Sequence, residues 1–345
     1  MKYKLLKKLC ETPSVAGREH RIRNFIKENV KNYFDEIEED PLGSLICKKY
    51  SKAKSKKKIL LLCHMDEIGF LVSHISSKGF VYVDPVGGFD PRNLFSRRVL
   101  VCTDKADYKA VMNPQGKPIH TQSPMERKKI PESNEFFIDL GMGDKTKDVV
   151  KVGDFVVMDE PYMEISNKIV SKALDNRVAC WLGMEIAKYI SESKITLNND
   201  IYIVFTSQEE VGLRGAKTAS FSIDPDIAIG IDTTLACDTP GVSEQDWVTT
   251  QGNGFGLHIK DSSFISDNDL LNEFISLAER NKIAYQRTVL SRGGQDGAAG
   301  QQTGSGAKAI GIVVGTRYIH TVTEMIDKED LESALSILKI FISKK

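Results

Sequence analysis

The chain changes its pattern twice along its length, and this constrains the fold more than any single motif. Between about residues 70 and 163 it runs as short β-branched segments broken by glycine and proline: FLVSHI, GFVYVD, RRVLVC, YKAVMN, FFIDLG and GDFVVMD. Runs of this kind bounded by turn residues predict strands. With no helical period among them beyond a short charged piece near MERKK, they predict an all-β module. On both flanks, strands alternate with long helices instead. KILLLC, IYIVFTS, DIAIGI and AIGIVVG are unbroken apolar runs of the kind found in strands buried on both faces. Ile22, Phe25, Ile26, Val30 and Phe34 form one helical stripe, and Val178, Trp181, Leu182, Ile186 and Ile190 another. GLRGAKTAS begins a further helix, SDNDLLNEFISLAERNKI is a helix capped by Ser266 or Asp267, and DKEDLESALSILKIFISKK closes the chain as a helix. Alternation implies a mostly parallel sheet covered by helices. The expected architecture is therefore an α/β domain made of residues 1–69 and 164–345, interrupted by a β-barrel-like domain at 70–163. A chain of 345 residues fits this division, because single cores rarely grow beyond ~250–300 residues.

Composition narrows the partners. Forty-seven lysines and arginines balance 47 aspartates and glutamates, so no global field favours nucleic acid or an anionic membrane. The lysine-rich stretch at 48–58 is expected to be a solvated loop between strands. No apolar run approaches the ~20 residues that span a bilayer. MKYKLLKKLCETPS lacks the apolar core and cleavage site of a signal peptide, and a cytoplasmic location is expected. The six cysteines form no CxxC pair or metal-knuckle spacing and read as reduced thiols.

Polar residues gather where the buried strands run out, the edge at which open α/β sheets build their sites. His64 follows KILLLC, and Asp66, two residues on, faces the same side and is suited to orient the imidazole from behind. Asp175 and Asn176 stand where the chain enters a helix; both are favoured N-caps, and the same position suits a carboxylate bridging two cations. Asp232 ends DIAIGI, where a carboxylate needs a partner, and His320 follows AIGIVVG. Glu209 and Glu210 close IYIVFTS. As strand neighbours they face opposite sides unless the chain turns at Gly212, so one can ligate while the other stays free. Two histidines and three carboxylates, His64, Asp175, Glu210, Asp232 and His320, are donors for a borderline metal such as zinc, cobalt or manganese. Five ligands suit two ions if one carboxylate bridges. GSGAKA at 304–309 precedes a strand, the wrong order for a dinucleotide fingerprint. RGGQDGAAGQQTGSG reads as a flexible loop beside the substrate. His120 in the inserted module is either a loop histidine or a residue reaching across a subunit boundary.

These residues, in this order, resemble the tetrahedral (TET) dinuclear metalloaminopeptidases, a family that includes glutamyl aminopeptidases and members once labelled endoglucanases. The resemblance covers nearly the whole chain, through LCETPSVAGREHRIR, DPLGSLI, CHMDEIGF, KALDNRV, QEEVGLRGA, GIDTT, RGGQDG and TRYIHTVTEM. It implies that His64 and Asp232 hold one divalent ion, Glu210 and His320 the other, with Asp175 bridging. It also implies that Glu209 is the general base, Asp66 the partner of His64, and zinc or cobalt the metal. The β insertion would be a dimerisation domain, and dimers would assemble into a hollow dodecamer that takes short peptides. Departures are GGQDG for the usual GGTDA, DNRVAC where glycine often follows DNRV, and HTVTEM for HSPxEM; none removes a ligand or the base. Two other readings are glycoside hydrolysis, which needs two carboxylates ~5–9.5 Å apart and no metal, and a non-catalytic assembly protein of the same fold.

Overall fold

A computed structural model describes residues 2–54, 56–193 and 195–344. Ser55 of the basic run and the terminal Lys345 lie outside the described residues. Helices α1 (Lys4–Glu11) and α2 (His20–Val30) lead into strands β1 (Glu36–Glu39), β2 (Leu45–Lys49) and β3 (Lys58–His64). The chain then leaves the sheet to build β4 (Gly69–Ile75), β5 (Val81–Val86), β6 (Arg97–Cys102), β7 (Asp107–Pro114), β8 (Phe136–Asp139), the one-turn α3 (Thr146–Val149) and β9 (Phe155–Met158). These six strands close into a barrel in the order β4-β5-β8-β7-β6-β9. Its interior follows from period two: Val81 and Val83 on β5, and Val99 and Val101 on β6, point inward to one apolar cluster. The charged piece at MERKK is a single 3-10 turn, Glu126–Lys128.

On returning, the chain adds β10 (Met163–Ile165), β11 (Lys168–Ser171), α4 (Leu174–Glu192), β12 (Asp200–Thr206), α5 (Arg214–Ile223), β13 (Ile227–Leu235), β14 (Phe255–Lys260), α6 (Asn268–Arg280) and β15 (Tyr285–Val289). It ends with α7 (Asp296–Gln301), β16 (Lys308–Arg317), β17 (Glu324–Asp327) and α8 (Lys328–Ser343). Strands β12, β3, β13 and β16 lie side by side and parallel at the centre of an eleven-stranded sheet, whose margins are largely antiparallel. Every residue of β12 is buried, as strands covered on both faces require. Odd-numbered residues of β3 and β12 face the helices that include α4, and even-numbered ones face α5 and α7.

The glycine-rich segment after β15 departs from expectation. It contains the buried helix α7, laid directly on the sheet. Gly230 and Gly311 are register partners on β13 and β16, and a Cβ at either would run into the Gln295 side chain, at 1.7 and 2.2 Å. The glycines clear room for α7, and a reading that took glycine as a turn former missed the helix for that reason.

Where the chain enters and leaves the barrel, charges are buried together. Lys172 Nζ lies 2.6 Å from Glu67 Oε2, and Arg177, wholly buried, reaches Glu67 Oε1 at 3.4 Å while donating to the carbonyls of Leu9 and Thr12. Val322, from the α/β side, sits in the barrel's apolar cluster. Breaking a buried pair costs ~3–5 kcal/mol, because the remaining charge is stranded. Arg177→Met should therefore lower the unfolding free energy by about that amount in denaturant titration.

Candidate metal centre

Three adjacent strands supply the floor of a cleft, Asp232 lying inside β13, which runs on to Leu235. His64 is the last residue of β3 and stands in register with Thr206, the last residue of β12, while Asp232 lies on neighbouring β13. On these strands the even-numbered positions face one way, so the His64 and Asp232 side chains emerge on the same side. Glu209 and Glu210 lie past the end of β12 on a turn, with Gln208 at φ 57°. It is this turn that brings both carboxylates to the cleft. Asp175 sits in an irregular first turn of α4, and the N-cap role belongs to its neighbour: Asn176 Oδ1 accepts the Ala179 N–H at 3.1 Å. His320 follows β16 at φ 62°.

The side chains converge. His64 Nε2 lies 3.2 Å from Asp175 Oδ1, 3.8 Å from Asp232 Oδ1 and 3.9 Å from Glu209 Oε2. His320 Nε2 lies 3.5 Å from Asp175 Oδ2 and 3.6 Å from Glu210 Oε2. The two oxygens of Asp175 thus face two different imidazoles, giving one cluster of His64, Asp175 and Asp232 and another of Asp175, Glu210 and His320; a third grouping, His64, Glu209 and Glu210, shares members with both. Donors held ~2.0–2.2 Å from a tetrahedral ion lie about 3.3–3.6 Å from one another, close to the separations seen in both clusters.

Electrostatics give the same fit. Burial, reinforced by the Asp175 charge, pushes the Glu210 carboxyl up to about 8, and burial pushes Asp232 and Glu209 well above the usual carboxylate range. Asp175 goes the other way despite burial, because hydrogen bonds to His320 and His64 hold it low. Burial opposes charge on the imidazoles too, yet Asp175 and Glu210 raise His320 to about 10, and Glu209 and Asp175 raise His64 well above its normal value. The raised proton affinity of both imidazoles reflects how strongly the surrounding carboxylates favour positive charge between them.

Supporting contacts come from residues that sequence reasoning assigned differently or not at all. The Asp66 carboxylate accepts the backbone N–H groups of Glu209 and Glu210, both at 3.1 Å, and so fixes the turn carrying them. His64 Nδ1 faces the Asp66 carbonyl oxygen at 3.2 Å and its carboxylate at 3.5 Å. Glu324, buried on β17, accepts the N–H of Asp175 at 3.0 Å and of His320 at 2.9 Å. Its sequence signal is the Glu-Met that closes the HTVTEM motif, four residues past His320. The barrel contributes as well: His320 Nδ1 lies 2.8 Å from the Gly88 carbonyl oxygen. Gly87, at φ 86°, lets that loop approach, since a Cβ there would lie 2.6 Å from Ile68 and 3.3 Å from Glu210 Oε2. Ala173, Gln208, Leu213 and His320, none of them glycine, all take left-handed backbone in or beside the loops that carry these carboxylates and imidazoles, strain of a kind that clusters at functional sites. Asp296 is buried beneath the centre, hydrogen-bonded to the Thr206 hydroxyl. His120 is exposed on the connection between β7 and β8.

Comparison with known proteins gives a consistent picture. A family model described as M42 glutamyl aminopeptidase matches residues 43–337. Among solved structures, an aminopeptidase from the archaeon Desulfurococcus kamchatkensis is 34% identical, with a TM-score of 0.92 over 99% of this chain and 94% of that one. A TET aminopeptidase from a marine-sediment Thaumarchaeota archaeon is 33% identical, with a TM-score of 0.95 over 99% and 95%. The TET1 peptidase of Pyrococcus horikoshii, described as able to assemble into a tetrahedron or a large octahedral shell, is 28% identical, with a TM-score of 0.89 over the whole of both chains.

Two expectations follow from the geometry. Because a metal must displace protons from imidazoles whose proton affinity is raised, metal addition should release protons, and apparent affinity should rise with pH across the neutral range; a pH indicator and calorimetry in paired buffers measure both. Gly87→Val should weaken metal binding at the His320 cluster by about 10–100-fold, the usual effect of disturbing a ligand's support, with equilibrium dialysis as the readout.

Proposed function

Because the chain belongs to the M42 glutamyl aminopeptidase family and is accordingly a hydrolase of peptide bonds, we propose the following division of roles. His64 and Asp232 hold one divalent ion, Glu210 and His320 a second, and Asp175 both, with Glu209 as general base and Asp66 as the residue that orients His64 and the glutamate turn. The observation that carries this reading is the split of the Asp175 oxygens between two imidazoles. A single ion would leave one of the two clusters without a purpose.

Two divalent ions bound there supply Lewis-acid activation of the scissile carbonyl and a nucleophilic water at neutral pH. The chain's residues supply the rest. Glu209 stands 3.9 Å from His64 Nε2 and its backbone is tied down by Asp66, so its carboxylate is held at the cleft with no hydrogen bond to a neighbour among the described residues. It is suited to take a proton from the attacking water and return it to the leaving amine. Asp66 and Glu324 keep the two ligand loops rigid while that proton moves. Zinc or cobalt is the proposed metal, since imidazole and carboxylate donors suit a borderline ion. Glycosidase chemistry would need two carboxylates flanking the bond and would leave both histidines idle.

The barrel is proposed as the dimerisation domain and the dodecamer as the working assembly. What supports this is the assembly described for the Pyrococcus protein together with apolar side chains left open on one barrel connection, Ile119, Met125 and Ile130. Among the described residues no helix is long and apolar enough to cross a membrane; a cytoplasmic location is proposed alongside.

Glu209→Gln should keep its full metal content and lose ~10²–10⁴-fold in turnover, the usual contribution of a positioned acid-base. Near-normal turnover with both ions retained would contradict the role given to Glu209.

A further inference from the structure

Residues 14–19, the stretch SVAGRE, run from the segment that follows His64 to the turn that carries Glu209 and Glu210, and the roles given above leave them unused. At one end, the Glu67 N–H donates to the Ser14 carbonyl oxygen at 3.0 Å, and the Ser14 N–H donates to Glu67 Oε1 at 3.2 Å. The Ser14 hydroxyl reaches the Met65 carbonyl oxygen at 3.4 Å. At the other end Glu19 is buried, and its Oε1 accepts two N–H groups, from Gly17 at 2.9 Å and from Gln208 at 3.0 Å.

Glu19 directly precedes α2, and the plain reading is an acidic cap on that helix. Its side chain makes no capping hydrogen bond to α2 and turns to Gln208 instead. Gln208 is the residue at φ 57° on which the glutamate turn pivots. The next two N–H groups, of Glu209 and Glu210, go to Asp66, so consecutive donors along the turn are taken up by two buried carboxylates. The carbonyl oxygens are used within the turn, that of Gln208 by the Arg214 N–H and that of Glu209 by the N–H groups of Gly212 and Leu213. Successive N–H groups of this kind form a concavity that attracts anions, and here the chain fills it with its own. The arrangement is unfavourable for Glu19 itself: burial and the Asp66 charge push its carboxyl up to about 7, against the pull of the N–H groups it binds. A solvated cap would avoid that cost. What the buried position adds is a turn fixed at Gln208 as well as at the two glutamates.

We infer that Glu19 is a positioning residue for the reaction, its Oε1 holding the Gln208 N–H so that Glu209 and Glu210 stay turned into the cleft. The inference rests on the roles proposed for Glu209 and Glu210. Its requirement is an acceptor oxygen at the reach of a glutamate side chain; the negative charge is secondary.

Three substitutions separate the acceptor from the charge. Glu19→Gln keeps a carbonyl oxygen at the same reach, Glu19→Asp keeps the charge one methylene short, and Glu19→Leu removes both. Each is made alone and together with Glu209→Gln; kcat on aminoacyl-anilides at saturating metal is expressed per metal-loaded site, and metal affinity is measured by equilibrium dialysis. Glu19→Gln should keep most of the turnover. Glu19→Asp and Glu19→Leu should lose ~10–10²-fold in kcat with KM near the wild-type value, the effect of a small misplacement of a reacting group. Both should also weaken metal binding at the Glu210 cluster by ~10–100-fold. On Glu209→Gln the same changes should cost kcat little more, because the group they misplace is already gone. A purely structural role would instead give equal fold-losses in both backgrounds. That result, unchanged kcat and metal affinity in Glu19→Asp, or a Glu19→Gln variant more impaired than Glu19→Asp, would overturn the inference; if Glu19→Leu does not fold, the comparison of Gln with Asp carries the test. Near-normal turnover of Glu209→Gln itself would count against the base role of Glu209, and the dialysis result then decides on Glu19.

Discussion

Four carboxylates and two imidazoles are drawn into one cleft, where both burial and mutual repulsion act against the negative charges. Glu209, Glu210 and Asp232 all have their proton affinity raised by burial, while Asp175 remains a strong acid because an imidazole faces each of its oxygens. Such a cluster is costly to hold together without positive charge. The raised proton affinity of both histidines is the mark of that demand, and divalent ions would meet it. The supporting contacts make sense only against this cost, because each keeps a group that would otherwise swing away to water.

Those contacts come from every part of the fold. The parallel strands align His64 and Asp232 on one side, Asp66 pins the glutamate turn, and Glu324 pins the backbones of Asp175 and His320. The barrel adds the Gly88 carbonyl behind His320. An insertion that looks in sequence like a separable module is thereby tied to the candidate metal centre.

Residues at the ends of unbroken apolar runs were legible in the sequence, because strand burial and the period of two leave His64 and Asp232 few other environments. The helix-covered sheet and the run of short strands that closes into a barrel were legible for the same reason. Asp175 was obscured by its neighbour: the cap that both residues could form is made by Asn176, a choice only the folded backbone settles. The placing of Glu209 and Glu210 in the cleft depends on a turn at Gln208 rather than on strand geometry. Helix α7 was hidden because its glycines serve close packing on distant strands, Gly297 against Gly230 and Gly300 against Ala228 and Leu62. The Gly88 and Glu324 contacts join residues whose proximity no local pattern records.

The most direct test of the central claim, one cluster shared by two ions through Asp175, is an anomalous-scattering map from crystals grown with zinc. The account predicts two peaks, one among His64, Asp175 and Asp232 and one among Asp175, Glu210 and His320. A single peak at saturating metal, or a second peak away from Asp175, would contradict it.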